Sequence, residues 1–411
     1  MIDSPLTFSA ESDRRLVACE ASSQRMIEWL IAAAPAAGHT ERAPLNLALI
    51  LDRSGSMQGD KLRNVQQAAG HLLDLLDQRD RVVVVAYDDQ VTLVAPSAPV
   101  SAAQRASLKR AIDGLRPGGW TDISGGWLTG CREVAAYQAA EGIHRALLLT
   151  DGLANRGIID IEELAQHARE LRRRGVATST FGVGLDFNEQ LLEALAEQGG
   201  GHFYYIERPE QIPTVFRREL GELLTVVARE VFVSIGVPRG VAIELLGDLA
   251  HERADDRLRI FLGDLCAGEH RALYTRVLTP TDTIGTNLVI AGELGYADLA
   301  GRTATLAASA AFSYAREAEV LRLPVRTPLL ERASAVELAT ATGRALKLER
   351  AGQRDTAQAL MQQTLAAAAP YLAAPAAAHY QVLAEQIADG LSEEQRKQRH
   401  FAAYRARQSR E

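Results

Sequence analysis

Between Leu45 and about Val227, short apolar runs rich in β-branched residues alternate with longer segments of helical period, and no other feature constrains the fold so strongly. The runs LNLALIL at 45–51, RVVVVAY at 81–87 and RALLLT at 145–150 are apolar almost throughout, as strands buried on both faces must be. VTLVA at 91–95, VATSTFGVG at 176–184 and HFYYI at 202–206 complete the set. Between them, the segment from Lys61 places Leu62, Val65, Ala69, Leu72, Leu73 and Leu76 on one helical stripe. The segment from Ile161 behaves alike, with Gly175 suited to cap its end. A last helix is expected from near Pro209, a first-turn proline, to Ala228. The alternation predicts an α/β, Rossmann-like unit over 45–227, with a central, mostly parallel sheet and helices on both faces.

After Arg229 the period changes. Strand-like runs separated by Gly, Pro and Asp turns fill 228–322, which reads as a β-sandwich. The N-terminal segment, 8–44, contains RRLVACEASSQRMIEWLIAAA, which reads as a hairpin turning at Ser22 and Ser23. We expect it to join the same sandwich, so that the α/β unit is an insertion between its strands. From 327 to 411 the chain turns helical, with an alanine-rich pair around Gly352 that must pack on the rest to bury its face. The basic end, EEQRKQRHFAAYRARQSRE, reads as a solvated helix or tail, with binding to an anionic partner as the alternative.

A chain of 411 residues fits two or three domains. Acidic residues outnumber basic ones, 52 to 45, and the two signs are interspersed, so nucleic acid is not an expected partner. The opening MIDSPLTFSAESDRR has no basic n-region or apolar h-region. No run approaches the roughly 18 apolar residues of a membrane helix. Cys19, Cys131 and Cys266 are odd in number and lack pairing or metal-ligand spacing, as suits a reducing compartment. A soluble, cytoplasmic protein without membrane contact is expected.

Three segments carry chemistry. The first strand ends in Asp52-Arg53-Ser54-Gly55-Ser56-Met57, putting a carboxylate and two hydroxyls on the turn into a helix. Gly118-Gly119-Trp120-Thr121-Asp122 lies on a glycine-rich loop, and Thr150-Asp151-Gly152 ends another strand. Loops at the carboxyl ends of strands are where open α/β sheets bind ligands. Taken singly, each is also an ordinary cap or turn.

In that order the three segments resemble the von Willebrand factor A family, the integrin I-domain family, over roughly 45–227. The family's Asp-x-Ser-x-Ser motif falls on Asp52, Ser54 and Ser56, its distal threonine on Thr121, and its second aspartate on Asp151. The resemblance implies a metal-ion-dependent adhesion site in which these five residues hold Mg²⁺ or Mn²⁺ directly or through waters. It also implies a protein partner that offers Glu or Asp to the ion. The order of units looks like bacterial multidomain A-domain proteins more than integrins, and for such relatives an AAA-type ATPase is one candidate partner.

The chemistry agrees with the resemblance, since Mg²⁺ takes about six hard oxygens and keeps several waters. Neutral hydroxyls leave the ion under-neutralised and attractive to an incoming carboxylate. We therefore expect a non-catalytic binding scaffold. The alternatives are a Mg²⁺-dependent hydrolase or phosphotransferase, or a chelatase-like subunit serving an ATPase. The first alternative needs an activated nucleophile, yet Asp52 is not followed by the Asp-x-Asp arrangement of aspartyl phosphotransferases. Trp120 and Met57 are the expected apolar anchors for a partner, with packing of Trp120 against Trp127 as the plainer reading. Asp88 and Asp89 read as strand caps, and the scattered His71, His144, His167 and His202 as ordinary residues.

Overall fold

The computed structural model describes residues 4–35 and 42–409. Residues 36–41, inside the expected 8–44 segment, and the last two residues lie outside the described ones. The chain opens with β1 (Leu6–Ser12), β2 (Leu16–Ala18) and β3 (Ser23–Ala33). It then enters an α/β unit of β4 (Leu45–Asp52), α1 (Asp60–Leu75), β5 (Arg81–Tyr87), β6 (Val91–Pro99), α2 (Ala102–Asp113) and α3 (Ile123–Ala135). The unit continues through β7 (Ile143–Thr150), α4 (Ile161–Arg173), β8 (Ala177–Val183), α5 (Glu189–Gly199), β9 (Gly200–Ile206) and α6 (Ile212–Leu224).

Its sheet has the order β6-β5-β4-β7-β8-β9. Every pairing is parallel except that of edge strand β6 with β5. All eight residues of β4 are buried. Successive side chains point to opposite faces, so Leu47, Leu49 and Leu51 meet Leu62, Val65 and Phe216 while Ala48 and Ile50 meet Trp127, Cys131 and Leu164. On the second face α3 sits tight against the sheet, because a Cβ at Gly130 would fall 2.6 Å from the Ile50 side chain. One expectation is corrected at the end of the unit. The last helix stops at Leu224, and the residues to Ala228 already belong to the next strand, where Val226 and Ala228 pair with Cys266 and Leu265.

The sandwich follows as β10 (Val226–Gly236), β11 (Ala242–Leu245), β12 (His251–Ala254), β13 (Arg257–Cys266), β14 (His270–Thr279), β15 (Asn287–Ala297) and β16 (Thr303–Ala315). One sheet runs β1-β3-β14-β11 and the other β12-β13-β10-β15-β16-β2. The N-terminal strands thus share both sheets with strands from beyond the α/β unit. Trp29, Ile27 and Ile31 of β3 pack against Val233, Ile260 and Phe312 of the opposite sheet, and Trp29 Nε1 donates to Thr275 Oγ1 at 3.0 Å. The expected hairpin around Ser22 and Ser23 does not form. Instead β3 pairs with β1, and β2 lies parallel to β16 in the other sheet. Polar contacts fix this crossing: Ala18 N donates to Ser23 Oγ at 2.8 Å, and Arg25 Nε and Nη2 donate to Leu16 O at 2.9 and 2.8 Å.

The remainder is α7 (Glu317–Arg322), α8 (Thr327–Arg350), α9 (Arg354–Ala368), α10 (Ala374–Asp389) and α11 (Glu393–Arg407). Leu329, Ala333 and Val336 of α8 pack on Met26 and Tyr274 of the sandwich. The basic end is not a solvated tail. Lys397, His400, Tyr404 and Arg407 form one buried stripe on α11 against α5 and β9. Lys397 Nζ donates to Phe187 O at 2.6 Å and to Glu189 at 3.0 Å, Arg407 pairs with Glu193 and Asp248, and Phe203 N donates to Tyr404 Oη at 3.1 Å. Carboxylates of this chain therefore take up the charges of Lys397 and Arg407, and Glu349 that of Arg396. Among the described residues, no helix is long and apolar enough to cross a membrane.

Candidate functional site

The β4 strand delivers Asp52 to the carboxyl edge of the sheet with its side chain fully buried. Its two oxygens are held from opposite sides: Ser54 N donates to Oδ1 at 2.7 Å, and Thr150 Oγ1, from the end of β7, donates to Oδ2 at 2.6 Å. A single 3₁₀ turn, Gly55–Met57, then leads toward α1. Ser54, just before the turn, is buried and Ser56, within it, exposed, their hydroxyls 3.1 Å apart. The same turn drives Met57 inward, where it is fully buried among the core residues beneath α1. Met57 is therefore a core residue and not the surface anchor expected from its place beside the serines.

The second loop is tied to the first through the main chain. Gly118 N donates to Arg53 O at 2.7 Å and Gly55 N to Gly119 O at 3.0 Å. Asp88 leaves no room for a side chain here, since a Cβ at Gly118 would fall 1.7 Å from Asp88 Oδ2. More than a strand cap, Asp88 pairs with Arg53 at 3.3 Å, and its carbonyl accepts from Asp122 N at 2.9 Å. Thr121 is buried, and its N–H donates to Asn155 Oδ1 at 2.8 Å. Trp120, next to it, is 59% exposed, whereas Trp127 lies in the helix–sheet core and donates to Thr178 Oγ1 at 3.1 Å. The two tryptophans thus occupy different environments.

The third loop closes the ring. Asp151 is fully buried, accepts from Ser56 Oγ at 2.7 Å through Oδ1, and pairs through Oδ2 with the Lys61 ammonium. Gly152 lies beside two of the three hydroxyls, because a Cβ there would be 3.5 Å from Ser56 Oγ and 3.7 Å from Thr121 Oγ1. The structure thus gathers Asp52, Ser54, Ser56, Thr121 and Asp151 at one end of the sheet. Sequence reasoning missed Lys61, Thr150, Asn155 and the bridging role of Asp88. Only Thr150, beside Asp151 in the strand-end motif, carried a local signal.

Electrostatically the site is a floor of two buried carboxylates beneath three hydroxyls, with one lysine in contact. Burial pushes the Asp52 carboxyl up to about 6 against the pull of the Thr150 and Ser54 donors, and the neighbouring Asp151 charge adds to the rise. Among the described residues Asp52 has no basic partner. A hard divalent cation fits this donor set: every side-chain donor is oxygen, and the excess of negative charge is what such an ion neutralises. Exposed Leu153, Ile159 and Leu185 stand on loops at the same end of the sheet as Trp120. A cavity of about 570 Å³ lies at the other end, between Gly142, Arg172, Arg229 and Phe261 at the seam with the sandwich.

A family model described as the von Willebrand factor type A domain matches residues 46–218. An uncharacterized protein of Synechocystis sp. is 30% identical over 298 residues, covering 70% of this chain and 69% of that protein. The uncharacterized protein YfbK of Escherichia coli is 31% identical over 241 residues, which is 56% of this chain but 40% of YfbK, so the chain spans under half of that relative. A solved structure described as von Willebrand factor type A from Catenulispora acidiphila superposes with a TM-score of 0.76 at 18% identity, covering 98% of each chain. The likeness of fold therefore extends over the sandwich and helices as well as the α/β unit.

Proposed function

The chain belongs to the von Willebrand factor type A domain family, and from that premise we propose that it is a non-catalytic, Mg²⁺- or Mn²⁺-dependent protein-binding module. The observation that carries the reading is the convergence of the Ser54, Ser56 and Thr121 hydroxyls over buried Asp52 and Asp151. These residues would hold the ion, which supplies an electrophilic point for a Glu or Asp side chain of the partner. Thr150 and Ser54 N orient Asp52, Asn155 fixes the Thr121 loop, and the three loops are clamped by main-chain bonds, so the rim is preformed. Exposed Trp120 beside Thr121 supports an apolar contact that would exclude water around the carboxylate.

A scaffold is favoured over a hydrolase by the bonding of the hydroxyls. Ser54 and Ser56 bond to each other, and Ser56 donates to a carboxylate already paired with Lys61 rather than to an imidazole. That is a poor arrangement for activating a nucleophile. Among the described residues no cysteine is in a disulfide, which suits the cytoplasm, where we place the protein's action. The test is capture of partners from cell extract on immobilised wild type and Thr121→Ala, each with Mg²⁺ and with EDTA, an AAA-type ATPase being one partner class to look for. The reading predicts a protein retained only by wild type with Mg²⁺. It is overturned if retention is indifferent to both EDTA and the substitution, or if the purified protein shows Mg²⁺-dependent turnover of phosphate esters that Asp151→Ala abolishes.

A further inference from the structure

We propose that Lys61 is a tethered cation that sets the balance of the site, weakening its hold on the divalent ion and strengthening its hold on the partner's carboxylate. The proposal rests on the reading that Asp52, Ser54, Ser56, Thr121 and Asp151 hold that ion, and it concerns a residue outside that set. Lys61 stands in the first turn of α1. The next residue, Leu62, is buried in the helix stripe, while the Lys61 side chain, 24% exposed, reaches the wholly buried Asp151 carboxylate. Gly184, at the end of β8, lines the approach, and a Cβ added there would come 3.9 Å from Lys61 Nζ.

The consequence follows from charge. Asp52 and Asp151 bring two negative charges, and Lys61 returns one positive charge in direct contact with Asp151. Without it the site would present a divalent ion with the full two charges. With it, the ion meets about half of that attraction and competes with an ammonium for Asp151, whose other oxygen is taken by Ser56. At the short distances and partial burial of this rim, one such charge is worth roughly 10- to 100-fold in cation affinity. The sign reverses for the next ligand. Two carboxylates neutralise a divalent ion, so the Lys61 charge leaves the filled site net positive, and an incoming carboxylate is drawn to it.

Opposite effects on two ligands separate this role from a structural one. The experiment uses the full chain as wild type, Lys61→Met, which keeps the stem and removes the charge, and Lys61→Arg, which restores it. Mn²⁺ affinity is measured by calorimetry. Glutarate, as a carboxylate probe, is then titrated onto the Mn²⁺-loaded protein while water-proton relaxation follows displacement of metal-bound water. Lys61→Met should bind Mn²⁺ roughly 10- to 100-fold more tightly and glutarate several-fold more weakly, with Lys61→Arg near wild type in both. Because Lys61→Met leaves Asp151 buried without its partner, thermal unfolding gives a second readout: the variant should be less stable in EDTA yet gain more from Mn²⁺ than wild type does. Equal or weaker Mn²⁺ binding by Lys61→Met, or glutarate affinity that does not fall, overturns the proposal. If neither protein binds Mn²⁺, the underlying reading fails, and the proposal falls with it.

Discussion

Asp52 and Thr150 end neighbouring parallel strands, and the Thr150 hydroxyl donates to Asp52 Oδ2 at 2.6 Å with both side chains fully buried. The pairing register of β4 with β7 sets this contact. Thr150→Val keeps the shape and removes the donor. It should lower Mg²⁺ affinity about 10- to 100-fold, as loss of a group that orients a metal ligand does. The unsatisfied carboxylate should also cost about 1–3 kcal/mol of stability, measured by urea unfolding. Unchanged affinity would mean that Asp52 needs no orienting.

The two tryptophans should respond differently. Trp127→Ala removes a fully buried ring and should destabilise the protein by about 3–5 kcal/mol. Trp120→Ala should change stability by less than about 0.5 kcal/mol, because the side chain is mostly exposed. Acrylamide quenching should act mainly on Trp120. Comparable losses of stability from both substitutions would show that Trp120 belongs to the core.

Lys397 gives a test of the C-terminal helix. With its side chain 1% exposed and bonded to Phe187 O and Glu189, Lys397→Ala removes one of the two cations paired with buried Glu189, the other being Arg350. A loss of about 1–3 kcal/mol and faster proteolysis near 390–409 are predicted. A solvated tail would give almost no change.

Glu219 predicts how the α/β unit responds to acid. Burial works to raise this carboxyl, but the His202 charge and hydrogen bond, the Arg145 charge and the Ser179 donor outweigh it and hold it well below the usual carboxylate range. A folded-state pKa below the unfolded value contributes stability above about 4.5 that is lost as pH falls through and beneath that value. Glu219→Gln should therefore be less stable than wild type by about 1–3 kcal/mol at neutral pH, with the gap closing in acid. A constant gap from pH 7 to 3 would contradict the assignment.

Much of this molecule can be read from local pattern, and what escapes does so for physical reasons. Strands β4, β5 and β7 announce themselves because burial on both faces demands apolar residues at nearly every position. The end of α6 does not, since Val226 and Ala228 continue its apolar period while a ladder with β13 claims them. Three-residue β2 pairs with β16 almost 300 residues away and leaves no local trace. At the site, the carboxylates and hydroxyls lie within recognisable segments, but Lys61 meets an aspartate 90 residues distant and reads alone as an ordinary helix-surface lysine. Met57 misled for the opposite reason, because adjacency to exposed Ser56 says nothing about which way the next residue of a tight turn points.

In the proposed function, Asp52, Ser54, Ser56, Thr121 and Asp151 together hold a divalent cation. Calorimetric titration of Mg²⁺ into wild type and Thr121→Ala tests it most directly, with unfolding curves run alongside to establish that both are folded. One bound ion per wild-type chain is expected, with binding lost or weakened by at least about tenfold in Thr121→Ala and stability in EDTA little changed. Equal Mg²⁺ binding by the two folded proteins, or none by wild type at millimolar concentration, would contradict it.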